Sequence, residues 1–235
     1  MTTSRFETRM LYAITRQARE KAAAMGCNWA LVYTMGHKAH RSIDNPVPND
    51  DLPIYLESEP KVAALRRKKA RAIEFEKRIL QESVAHAKRR GLKTMIHSYE
   101  LSLPPELRTV YPSLYRPMVK EYRNCSEETR LNREPCLADP RVRDLITRKI
   151  AEVVSLVPDL DAYAFSFNEC LSLAKIRHRC ELCREVPFWQ MIKWLSDAVR
   201  AGVRSANPRV QFFHRLWGLN EHDDVYQKNI ERQAV

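Results

Sequence analysis

Apolar positions along the chain change period several times, and each change marks an element. Over residues 5–24, Phe6, Met10, Leu11, Ile14 and Ala18 recur at three- and four-residue steps. This predicts an amphipathic helix, with Gly26 as its stop. Cys27 to Thr34 (CNWALVYT) is a short apolar run that reads as a buried strand. Pro46, Pro48 and Pro53 among Asn45, Asn49, Asp50 and Asp51 make 35–59 a loop. From 61 to 89, Val62, Leu65, Ile73, Ile79, Leu80, Val84 and Ala87 predict a second long helix, ended by Gly91. Lys93 to Glu100 (KTMIHSYE) reads as the second strand, and 101–138 as a long connection broken by prolines. Asp139-Pro140 has the chemistry of an N-cap followed by Pro at the first helical position. Val142, Leu145, Ile146, Ile150 and Val153 continue that helix. Ala162 to Asn168 (AYAFSFN) is the third strand, a helix follows from about Pro187 to Ser205, and Arg209 to Arg215 (RVQFFHR) is the fourth strand.

Helix and strand thus alternate, which predicts a parallel sheet with right-handed crossovers. The connections are unequal. Those from helix to strand are short (25–28, 90–92, 157–161 and 206–208), whereas those from strand to helix are long (35–60, 101–138 and 169–186). The extra chain therefore collects at the carboxyl ends of the strands, where α/β folds place binding and catalysis.

Composition narrows the class. Apolar residues are 44% and charged residues 29% of 235, a globular mixture. No run approaches a membrane span, and the first 30 residues show no secretory leader, so the expected location is cytoplasmic. The five glycines form no GxGxxG or GxxxxGK[ST] loop. Forty Lys and Arg against 29 Asp and Glu leave a charge of +11. Residues 61–90 hold eleven Lys/Arg and three Glu, hence +8 of that excess. Its centre, RRKKAR at 66–71, lies within helical apolar spacing and reads as the solvated outer face of a helix rather than a nucleic-acid patch.

The chemistry stands at the strand ends: His97-Ser98-Tyr99-Glu100, Phe167-Asn168-Glu169 and His214-Arg215-Leu216-Trp217. Glu169 emerges from AYAFSF beside aromatic residues, where loss of water should raise its pKa and suit it to be a general acid. Asn168 supplies an amide for a sugar hydroxyl, and Tyr99 and Trp217 offer flat faces for sugar rings. Glu100 is a second carboxyl, and glycoside hydrolysis uses two.

HSYELSLPPELRTVYP, CLADPRVRDLITRKIAEVVSLVPDLDAYAFSFNE, CELC and VRSANPRVQFFHRLW together resemble the TIM-barrel glycoside hydrolases of the α-glucuronidase-like type, over about residues 90–217. The resemblance implies an α/β fold, an incomplete (β/α)8 barrel with about four parallel strands and long loops at their C-terminal ends. The chain would be one partial-barrel domain over 1–235, with 218–235 a tail. Glu169 would be the catalytic acid/base; Asn168, His97, Glu100, His214, Arg215 and Trp217 would bind a carbohydrate substrate. The chain opens with a helix, as though a first strand were absent, so a second polypeptide or a missing continuation would complete the barrel. No metal or other cofactor is called for, and no membrane partner. The rival reading is a non-catalytic, barrel-derived binding domain, with the basic helix 61–90 as a polyanion surface.

Cys180 and Cys183 form C-x-x-C, with Cys125, Cys136, Cys170 and His178 elsewhere. A zinc site commonly shows two close pairs and this chain has one, so reduced thiols are the expectation. No leader suggests a disulfide framework. His37, His40, His86 and His222 have no partners at ligand spacing and read as structural or exposed.

Overall fold

The computed structural model describes residues 8–35, 53–98, 103–117, 135–166 and 180–215. They form β1 (Met10–Tyr12), α1 (Arg16–Ala24), β2 (Trp29–Met35), α2 (Pro60–Arg66), α3 (Ala70–Arg89), β3 (Lys93–Ser98), α4 (Glu106–Val110), α5 (Pro140–Ser155), β4 (Ala162–Ser166), α6 (Phe188–Ala206) and β5 (Gln211–Arg215). The fold is α/β. Five parallel strands lie in one sheet in the order of the chain, β1-β2-β3-β4-β5.

The opening of the chain differs from its periodicity. Residues 10–12 are an edge strand, and the helix begins only at Arg16, so the described residues hold five strands rather than four. The cap decides the boundary: the Thr15 hydroxyl accepts from the Ala18 N–H at 3.1 Å. Ahead of it, Asn28 Oδ1 accepts from the Arg9 N–H at 2.7 Å and ties the start of β1 to β2. Three residues are too few to show an alternation, so a helical period covered them by coincidence. The Asp139 cap and the Gly26 and Gly91 stops form as expected; both glycines sit at φ +73°.

The long basic helix is two helices. A 3-10 turn at Arg67–Lys69 separates α2 from α3. Nor is the basic run simply a solvated face: Arg66 is fully buried, donating from Nε and Nη2 to the Ile54 carbonyl and pairing with Glu106 at 3.0 Å. Arg67 pairs with Glu57 and lies over the Tyr55 ring, and Lys69 pairs with Glu106. Lys77, Lys88 and Arg90 face Glu74, Asp161 and Glu20. Carboxylates, all but Glu74 contributed by other parts of the chain, therefore meet much of the local charge.

The sheet has two unlike faces. Ala30, Val32, Ile96, Tyr163 and Phe165 join the core formed with Ala22, Leu80, Val84, Ala87, Leu145, Ile146, Ile150, Leu195 and Val199 of the helices. Trp29, Met95, Ala162 and Ala164 form a separate cluster of strand residues alone. Among the described residues, α1, α3, α5 and α6 all pack into this one core, as right-handed crossovers between consecutive strands require. A doubly wound sheet, whose strand order reverses, would cover both sides. At the flanks of this second face, which is helix-free among the described residues, Met10, Tyr12 and Phe213 remain exposed.

Candidate functional site

Strands β2, β3, β4 and β5 end together at Met35, Ser98, Ser166 and Arg215. At this edge His97 is 2% exposed and stands in register with Thr34 and Ala164. Alternation along β3 puts it beside Met95 on the helix-free face. His214 is in register with Phe165, one step out of phase with His97. Its ring meets Phe165 at 6.3 Å and Phe212 at 4.7 Å, edge to face, on the helix-bearing side. Although the residue is exposed, the burial its ring does have lowers its pKa; Arg200 lowers it further and Asp197 opposes. The two histidines thus share an edge but not a face. Register decides this, and a sequence read one strand at a time does not contain it. Arg215 occupies the register position opposite Ser166. Tyr99, Glu100, Asn168, Glu169, Trp217 and the tail 218–235 lie outside the described residues.

A depression of about 540 Å³ lined by Glu74, Lys77, Arg78, Gln81 and Leu156 opens elsewhere, beside the turn that leads into β4. Its walls are polar side chains of α3 with one leucine, and Lys77 and Glu74 among them are paired with each other.

The second constellation is made of sulfur. Cys136 lies four residues ahead of α5 and Cys183 five ahead of α6, equivalent places in consecutive strand-to-helix connections. The Cys136 N–H donates to the Leu114 carbonyl at 2.9 Å, and the Asp139 N–H donates back to the Cys136 carbonyl at 3.0 Å. Cys180 to Arg184 is a tight turn: the Cys183 and Arg184 N–H groups both donate to the Cys180 carbonyl at 2.9 Å. The Cys180 N–H reaches Cys183 Sγ at 3.2 Å. Cys180 Sγ is 3.4 Å from Cys136 Sγ and 3.6 Å from Cys183 Sγ. All three sulfurs lie within 4.8 Å of one another, and all three residues are buried. No disulfide joins them. Hydrogen bonding to Cys180 and Cys183, followed by burial, pushes the Cys136 thiol far up. Such sulfurs are packed as protonated thiols or else around a cation.

Beside them, Arg143 of α5 donates to the Leu137 and Ala138 carbonyls at 2.8 and 3.0 Å and lies 4.4 Å over the Trp194 ring of α6. The C-x-x-C pair was plain in the sequence. Cys136, 44 residues before Cys180, was visible only as a cysteine at the matching place of the preceding unit. Comparison with known proteins found no matching family model, no matching curated protein and no matching solved structure.

Proposed function

We propose that the chain is a (β/α)-barrel-type, carbohydrate-active protein whose proton donor is Glu169. The observation that carries the reading is the singly wound parallel sheet, with consecutive strands in order and the helices on one face. Among parallel folds, a barrel wall has this winding, and a barrel's chemistry stands at the carboxyl ends of its strands. The helix-free face, with Trp29, Met95, Ala162 and Ala164 at its centre, corresponds in this reading to a barrel interior.

His97 then looks out from that face, one residue before the end of β3. Glu169 follows β4 by three residues, with Asn168 beside it. Glu100, Arg215 and Trp217 supply further contacts from the neighbouring connections. His214, turned toward α6, takes no direct part. In the chemical step Glu169 gives its proton to the glycosidic oxygen as positive charge develops on the sugar ring. A second polypeptide completing the wall belongs to the same proposal, since Met10, Tyr12 and Phe213 are exposed along the helix-free face.

The rival, polyanion binding through 61–90, is disfavoured because Arg66, Arg67, Lys69, Lys77, Lys88 and Arg90 already face carboxylates. The test uses a panel of aryl glycosides and glycuronides with the wild-type chain and Glu169→Gln. Loss of an acid catalyst should lower turnover by about 100- to 10,000-fold while thermal stability is kept. Equal turnover by the two proteins removes Glu169 from the mechanism. Absence of both turnover and sugar binding by the wild-type chain removes the carbohydrate reading itself.

A further inference from the structure

We propose that Cys136, Cys180 and Cys183 hold one zinc ion as three thiolates, pinning the connection ahead of α5 to the connection ahead of α6. Zinc bonded to sulfur at about 2.3 Å in a tetrahedron separates its sulfurs by about 3.8 Å. Cys180 Sγ lies 3.4 Å from one of the other two sulfurs and 3.6 Å from the other. These separations are far longer than a disulfide bond of about 2.05 Å and close to the edge of that tetrahedron. The turn at 180–184 also brings Cys180 and Cys183 to one point, with the Cys180 N–H aimed at Cys183 Sγ.

Three thiolates and a divalent ion leave one negative charge, and the Arg143 guanidinium stands on the turn that carries Cys136. Its hold on two carbonyls of the Cys136 turn and its stacking on Trp194 keep that cation in place. Binding involves no oxidation: three S–H protons pass to solvent and three sulfur lone pairs form bonds to zinc. Tetrahedral zinc takes four ligands, and these sulfurs supply three of them. With all three cysteines buried, the ion would tie two connections of the fold together, and its loss is felt as instability.

The centre is independent of the carbohydrate reading, and its test needs no substrate. The full chain, produced with zinc in the medium, should carry one zinc per molecule by elemental analysis. Chelation should remove that zinc and lower the thermal midpoint, and added zinc should restore it. Cobalt in its place should give an intense thiolate-to-metal charge-transfer band and the visible bands of a tetrahedral ion. Cys180→Ser and Cys136→Ser should lose the metal, whereas Cys27→Ser, which lies outside the cluster, should keep it. Should the variants fail to fold, the wild-type cobalt spectrum and the protection of three thiols from alkylation by zinc decide the matter. A folded wild-type chain that binds neither metal overturns the proposal. So does a disulfide among the three cysteines in the unreduced protein, or an unchanged cobalt spectrum in Cys136→Ser.

Discussion

A single carboxylate holds down the segment that leads into α2. Glu152 of α5 accepts from the N–H groups of Tyr55 at 2.8 Å, Leu56 at 3.2 Å and Glu57 at 3.0 Å. Leu56 is fully buried and adopts φ +59°, a conformation that a branched side chain enters only when its surroundings hold it there. Burial pushes the Glu152 carboxyl up, and the three N–H groups pull the other way. Glu152→Ala leaves the half-buried bonds from Tyr55 and Leu56 and the exposed one from Glu57 without their acceptor and should cost about 1–3 kcal/mol in urea unfolding. Glu152→Gln keeps one acceptor oxygen and should lose less. Near-equal stability of the alanine variant would mean that water replaces the carboxylate. The sequence shows only a glutamate in a helical pattern here; a partner 95 to 97 residues away is a tertiary fact.

Among elements, α5 and α6 meet closely, and the contact rests on a glycine. A Cβ on Gly202 would lie 2.5 Å from the Thr147 carbonyl oxygen and 2.8 Å from Ile150 Cβ. The Thr147 hydroxyl adds a hydrogen bond to the Ala198 carbonyl at 3.0 Å. Alanine favours a helix over glycine by about 1 kcal/mol. Overpacking costs about 1–3 kcal/mol, and both obstructing atoms belong to rigid parts of α5. Gly202→Ala should therefore lower stability by about 1 kcal/mol or more, read as a lower urea midpoint with an unchanged slope. A higher midpoint would show that the helices separate easily.

At the scale of the whole molecule, acid should act first through histidine. His86 is buried, and its Nδ1 accepts from Arg19 Nε at 3.3 Å. Burial, then Arg19, Arg16 and Arg90, lower its pKa against the pull of Glu20. His214 shifts the same way. With the folded pKa below the unfolded value of about 6.5, the unfolded chain binds more protons between the two. Stability should then fall as pH drops from about 6.5 toward the folded values. Glu106 and Asp139, held low by Lys69 and Arg66 and by Arg141, extend the loss to lower pH as they protonate. Glu152, raised, opposes this in its own window. Thermal midpoints measured from pH 7.5 downward should decline, and less steeply in His86→Gln with His214→Gln. An unchanged slope in the double variant would assign the effect to other groups.

How much of this was legible follows from the range of each interaction. The alternation of helix and strand, the Asp139 cap and the Gly26 and Gly91 stops were readable because periodicity and capping act over a few residues. The long connections at one edge were readable for the same reason. The position of β1 was not, because three residues on an edge strand carry too little pattern to oppose a helical one. Nor was the inward turn of Arg66, whose partners Ile54 and Glu106 come from separate connections. The separation of His97 from His214 and the gathering of Cys136 with Cys180 and Cys183 belong to the same class. They depend on which strands become neighbours and in what register, which packing of the complete sheet and its helices settles. Local chemistry thus wrote the list of elements and the donors available to them. Only the assembled fold determined which donors meet.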